Sequence, residues 1–156
     1  MNMNNIKKAK SIIEKIIYIT IATVSKEGKP WNTPVYSAYD ENFDFFWASW
    51  KENEHSKNIR NNGEVFLVIY DSTVPEGTGE GVYVQAKAQE LYDPKEVEHA
   101  MRYLYGRKNK TPRKAEEFLG NFPRRVYKAV PEKFWLNTDG EVNGNYVDKR
   151  IEVKLI

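Results

Sequence analysis

The stretch KENEHSKNIRNNGEVFLVIYDS, Lys51 to Ser72, sets a polar run of helical composition directly against an apolar run of strand composition. Glu54 to Asn62 are helix formers, and Gly63 supplies a C-terminal stop. Glu64 to Asp71 is nearly all apolar, which predicts a central strand buried on both faces. His55, Ser56 and Lys57 fall in the first helical turn, where free N–H groups and the positive end of the helix dipole gather. An imidazole, a hydroxyl and an ammonium at that end suit a phosphate. The competing reading is that Asn53 caps an ordinary helix and its neighbours are solvated surface.

Working outward toward the N-terminus, Ile6, Ala9, Ile13, Ile16 and Ile17 recur at helical spacing and predict an amphipathic first helix. Tyr18 to Ser25 is rich in β-branched residues and reads as a strand. KEGKP, with Gly28 and Pro30, is a hairpin turn leading to a second strand from Trp31 to Tyr39. DEN turns the chain again before a third strand, Phe43 to Trp50. The three make an antiparallel meander.

Beyond Ser72, the glycines and proline of STVPEGTGEG predict a loop. Val82 to Leu91 alternates as a strand with one wet face. Asp93, Pro94 and Glu96 are an N-cap, a first-turn proline and a first-turn carboxylate, and they start a helix reaching about Tyr105. Thr111 and Pro112 repeat the signal for a shorter helix ending near Gly120. RVYKAVPEKFWLN returns to strand, with Pro131 as a break or bulge. DGEVNGN is a turn, and YVDKRIEVKLI is the last strand. Such a series points to one mainly β domain over residues 1–156, a small barrel with helices packed on it.

Composition narrows the chemistry. There are no cysteines, which excludes disulfides, thiolate metal sites and cysteine nucleophiles. Two histidines far apart give no histidine-rich metal site, and a net charge of +2 gives no argument for a nucleic-acid or membrane partner. No apolar run approaches a membrane span and the start lacks the apolar block of a signal peptide, so the expected location is the cytoplasm. PEGTGEG has neither P-loop nor dinucleotide-binding spacing. Trp31, Trp47, Trp50 and Trp135 can each stack on a planar ligand or serve as core packing. His99 falls mid-helix.

The ordered series as a whole resembles the pyridoxamine 5′-phosphate oxidase-like, FMN-binding split-barrel family. IATVSKEGKPWNTPVYSAYD resembles the family's first hairpin. FFWAS, EHSKNIRNNGEVFLVIYDS, GEGVYVQAKAQEL, RVYKAVPEKFWLN and YVDKRIEVKL then follow in family order. The resemblance implies a six-stranded antiparallel split barrel of Greek-key type, and a homodimer with FMN at the interface acting on a small-molecule substrate. It sets Asn32, Thr33, Pro34, Val35 and Ser37 of the second strand along the flavin. Trp47, Ala48 and Ser49 fall near the ribityl chain and phosphate, His55, Ser56 and Lys57 at the phosphate, and Trp135 near the ring from the partner chain.

Two departures matter. Where B6-vitamer oxidases carry a Ser-Arg-Lys clamp, this chain offers Asn53, Glu54 and His55, or with a one-residue shift His55, Ser56 and Lys57. Its ending, DKRIEVKLI, has Arg150 but no histidine. The resemblance therefore points to an FMN-dependent oxidoreductase other than a true pyridoxamine-phosphate oxidase. Other readings are a deazaflavin- or haem-binding member of the superfamily, haem drawing on His55 or His99 as axial ligand. A nitroimidazole-reductase-like role is another, as is a flavin-binding, stress or sensor protein without turnover. The last is a split-barrel dimer with no cofactor.

Overall fold

The computed structural model describes residues 3–155. Its elements in order are α1 (Met3–Lys15), β1 (Tyr18–Val24), β2 (Pro30–Tyr36), β3 (Ala38–Tyr39), β4 (Phe45–Trp50), α2 (Glu54–Asn61), β5 (Glu64–Tyr70), β6 (Gly81–Glu90), α3 (Pro94–Gly106), a short 3-10 turn at Ala115–Phe118, β7 (Arg124–Val142) and β8 (Asn145–Val153). All strand pairings are antiparallel, in the order β2-β1-β5-β6-β7-β4-β3, with β8 added to β7.

The two ends of that order are one piece of chain. Only Ser37 separates β2, which pairs with β1, from β3, which pairs with β4. The predicted strand from Trp31 to Tyr39 is thus nearly continuous but changes partner at Ser37, so the sheet curls round on itself. Among the described residues no ladder joins β2 to β4, because β4 pairs with β3 only through Phe45 and Phe46. Counting β2 and β3 as one strand, six strands form a barrel with a split.

The barrel interior is filled by alternate residues of each strand, as period-2 geometry requires. Ile19 and Ile21, Phe45 and Trp47, Leu67 and Ile69, Val82, Val84 and Ala86, and Tyr127 and Ala129 are all buried in one cluster. The first helix closes one end of the barrel through Ala9 and Ile13. The second plugs the other end with His55, Ser56, Asn58 and Ile59. α3 lies outside, where Val97, Ala100, Met101 and Leu104 pack with Ala38, Phe46 and Val126 in a second cluster.

Several details differ from the sequence reading. β5 is buried on one face only, because Phe66 and Tyr70 point outward with no helix over them. Gly63 does not stop α2 by a left-handed turn; Asn62 is the C-cap, in extended conformation. Glycine is needed at position 63 because a Cβ there would stand 2.6 Å from the Ala88 carbonyl oxygen. Asn53 holds the N-cap position of α2 without a side-chain cap bond. Asp93 caps α3 by accepting from Lys95 N–H at 2.8 Å. At Pro131 the ladder shifts register, Gln85 facing Lys133 and Ala86 facing Pro131, so Glu132 is the bulged residue. The last turn is tighter than DGEVNGN suggests, with β7 running on to Val142. Asn143 and Gly144, both at positive φ, form the two-residue hairpin turn.

Candidate functional site

Ser37 stands at the upper limit of the split between β2 and β4. Along the opening, one edge of β2 and the Trp47–Trp50 edge of β4 lack a ladder partner among the described residues. Backbone N–H and C=O groups on such edges are strong hydrogen-bonding groups seeking partners. β2 sends Asn32 and Pro34 outward, both exposed, and Tyr36 beside them. Val35 and Ser37 are buried, and Thr33 lies on the same inward-facing row. On β4 the alternation is reversed in sense: Trp47 and Ser49 are interior, Ala48 is partly buried outside, and Trp50 is exposed.

The first turn of α2 lies just beyond β4, and its side chains have structural partners. His55 Nε2 lies 2.9 Å from Ser49 Oγ in a buried contact. The Ser56 hydroxyl, wholly buried, donates to Trp50 O at 3.0 Å. Asn58 Nδ2 donates to Thr23 Oγ1 at 3.0 Å, tying the plug to β1. Lys57 is exposed and loosely paired with Glu54 at 3.7 Å. The first helical bond runs from Lys57 N–H to Asn53 O at 3.1 Å. The earlier N–H groups of the turn therefore have no partner within the helix. Lys57 is the one member of the predicted trio whose side chain remains at the surface.

Burial holds the His55 imidazole below its ordinary value of 6.5, so the folded protein keeps the ring neutral. The unfolded chain takes up a proton near pH 6.5, whereas the folded chain resists it until a lower pH. The His55 contribution is therefore complete above about pH 6.5 and is lost as pH falls through the folded value. Unfolding free energy should drop on acidification by up to about 1.4 kcal/mol per pH unit from this group. The His55→Gln variant should show a shallower acid limb in denaturant titrations between pH 7 and 5; identical slopes would refute the assignment.

Beneath α2 the barrel holds an ionic network that the sequence reading missed. Glu90 occupies an inward position at the end of β6. Its Oε1 lies 3.1 Å from Arg125 Nε, and its Oε2 accepts from Arg60 Nη1 at 3.0 Å and from the Tyr127 hydroxyl at 3.2 Å. Desolvation is the main cause that pushes Tyr127 up to about 12. Its ring stacks on Trp47 with centroids 5.6 Å apart. The one available signal was an acid, an arginine and a tyrosine on inward positions of otherwise apolar strands.

The remaining predicted residue, Trp135, is half-buried on the outer face of β7, opposite Tyr83 and stacked on Phe66 at 6.2 Å. It lies beyond the part of β7 that pairs with β4, between Tyr83 of β6 and Glu152 of β8. It joins an outer sheet surface that includes Tyr18, Phe66 and Tyr70, all exposed. His99 is committed elsewhere, with Nε2 3.1 Å from Asp40 Oδ2 and Nδ1 3.3 Å from Arg102 Nη2. No group of acids and histidines suited to a metal occurs among the described residues. No helix there is long and apolar enough to cross a membrane.

Three solved structures show where this architecture recurs. A protein of unknown function from Agrobacterium tumefaciens superposes with a TM-score of 0.74 at 17% identity, over 87% of this chain and 57% of its own. A heme binding protein from Mycobacterium smegmatis gives 0.70 at 14% identity, over 96% of this chain and 59% of its own. An F420 reductase gives 0.58 at 17% identity, over 80% of this chain and 94% of its own. The chain thus spans under two thirds of the first two proteins. At these identities the likeness is one of fold, that of the split barrel. No curated protein matches the chain. The sequence model of the pyridoxamine 5′-phosphate oxidase family matches residues 6–137, most of the chain and every strand through the greater part of β7, and the chain belongs to that family.

Proposed function

We propose that the protein is a homodimeric FMN-binding oxidoreductase acting on a small molecule, with the flavin lying along the split between β2 and β4. The observation that carries this reading is the pair of unpaired strand edges, Asn32–Tyr36 and Trp47–Trp50. Unpaired backbone donors and acceptors on such edges suit the amide-like edge of a flavin. The backbone groups free on that edge of β2 are those of Asn32, Pro34 and Tyr36, because Ser25 N–H bonds Lys29 O and Ser37 N–H bonds Ile17 O, which turns Thr33 and Val35 toward β1. Asn32 and Pro34 offer side chains to the same surface.

The residues present fit the cofactor at its other end too. The first-turn N–H groups of α2 and the ammonium of Lys57 are available to a phosphate. His55 and Ser56 support that end indirectly, since their bonds to Ser49 and Trp50 O fix the helix against β4. Bound FMN would supply the hydride or electron transfer, and the chain would position it and shape the space over the ring. The uncovered outer surface with Tyr18, Phe66, Tyr70 and Trp135 supports a second copy packed across it. In such a dimer Trp135 would lie at the interface.

A haem reading draws no support from the histidines, since His55 is turned into the barrel end and His99 is held between Asp40 and Arg102. A deazaflavin shares the planar, amide-edged ring and is tested in parallel with FMN. The variant Lys57→Ala should bind FMN about ten-fold more weakly, a loss of about 1.4 kcal/mol for a half-solvated charge-assisted contact. Its melting temperature should stay that of the wild type, because Lys57 has only a loose, exposed ion pair to lose. Unchanged FMN affinity in a flavin titration would remove the phosphate from the start of α2.

A further inference from the structure

Between the outer side of the barrel and α3 lies a cavity of about 70 Å³ lined by Tyr36, Ala48, Tyr105, Lys108, Phe118 and Arg124, among others. This is several times the roughly 10–15 Å³ that one water needs. The Tyr36 hydroxyl is buried there without a hydrogen-bond partner. The Lys108 ammonium stands at the rim, 4.7 Å from the Tyr36 ring centroid and 4.7 Å from that of Tyr105. Arg124 is close enough to repel it, and desolvation together with Arg124 and Lys110 pushes the Lys108 ammonium below its ordinary range. Neither Lys108 nor Arg124 has a carboxylate partner among the described residues, although Arg60, Arg113, Arg125, Lys15 and Lys128 all do.

We infer that Tyr36, Lys108 and Arg124 form a binding site for a small oxyanion, the phosphate or carboxylate group of a ligand. One demand is unmet inside this cavity, the Tyr36 hydroxyl without a partner, and two exposed like charges, Lys108 and Arg124, stand at its edge without a counter-ion among the described residues. A water satisfies the tyrosine but leaves the charges opposed. An oxyanion accepts from the Tyr36 O–H and from both cations at once, in charge-assisted bonds strengthened by the apolar walls. Tyr36 belongs to the same outward row of β2 as Asn32 and Pro34, which sets the cavity at the Ser37 end of the split. The inference uses no property of the flavin, and its anion titrations are made on flavin-free protein.

The test is calorimetric titration of flavin-free protein with inorganic phosphate and, separately, with acetate. Saturable one-site binding of one anion is expected, weakened ten-fold or more in Lys108→Met and in Arg124→Met. Tyr36→Phe keeps the shape of the cavity and should weaken binding by a smaller factor. Lys95→Met, at the end of α3 remote from Lys108, should bind as the wild type does. Preference for phosphate assigns a phosphomonoester, and preference for acetate assigns a carboxylate. Removing one of two opposed charges should leave the melting temperature of Lys108→Met in anion-free buffer at or above that of the wild type, so failure to fold does not confuse the result. If phosphate binds here and also competes with FMN, Lys108→Met weakens FMN while Lys57→Ala does not, and the phosphate in question is the cofactor's own. Absence of saturable binding by either anion, or equal binding in every variant, overturns the inference.

Discussion

Replacing Glu90 with alanine should lower the unfolding free energy by about 3–5 kcal/mol, the cost of leaving a buried charge without its partner. Glu90 and Arg125 have side chains only 5% and 8% exposed. The carboxylate uses both oxygens, one toward Arg125 Nε and the other toward Arg60 and Tyr127. Arg125 is held as well by the carbonyls of Phe122 at 2.6 Å and Arg124 at 2.8 Å, and by that of Gly120. It therefore cannot swing out to water when Glu90 is lost. Conversion of both partners to apolar residues of similar size, Glu90→Leu with Arg125→Met, should recover much of the loss, since the isolated charge is what costs most. Urea unfolding of the two single variants and the double variant forms a cycle that measures this coupling. Simple additivity of the single losses would contradict the network.

Replacing Arg107 with alanine should cost about 2–4 kcal/mol and release α1 from the barrel end. Arg107 follows α3, and its Nη2 is shared among the carbonyls of Ile13 at 3.0 Å, Glu14 at 2.7 Å and Ile16 at 3.0 Å. These are C-terminal carbonyls of α1 and of the chain just after it, so the cation also meets the negative end of that helix. Nη1 donates to Ser37 O at 3.3 Å, at the residue where β2 becomes β3. The guanidinium lies over Tyr39 at 5.5 Å. One side chain thus joins two helices to the seam of the barrel. Arg107→Lys should fail to restore stability, because a point charge cannot reach carbonyls spread over that range. Amide exchange should speed up selectively in α1, and full protection there in Arg107→Ala would show that apolar packing alone holds the helix.

The strands and their succession along the chain were legible because burial imposes a period of two on their residues and the turns carry their own chemistry, as at Gly28. The burial of β5 was not. EVFLVIYD has the apolar content of a doubly covered strand, and composition cannot separate a face covered by a helix from one left for a second molecule. The strand change at Ser37 was equally hidden, since no proline or glycine marks it and the partner strands are distant in sequence.

At the site, the first turn of α2 was correctly located as a helix start, but the direction of its side chains depends on Ser49, Trp50 and Thr23, which helix periodicity does not describe. His55 and Ser56 look like ligands in a list of residue types, and in the fold their side chains bond Ser49 and Trp50 O. Lys108 and Arg124 gave no signal at all. They lie in separate elements, and only the packing of α3 on the outside of β4 brings them to one cavity beside Tyr36.

In the proposed function the split between β2 and β4 holds a flavin. The most direct measurement is an absorption spectrum of the purified protein after incubation with FMN and removal of unbound ligand by gel filtration. A yellow protein peak carrying near-stoichiometric flavin at the elution volume of a dimer is expected. A colourless peak that retains no FMN would contradict it.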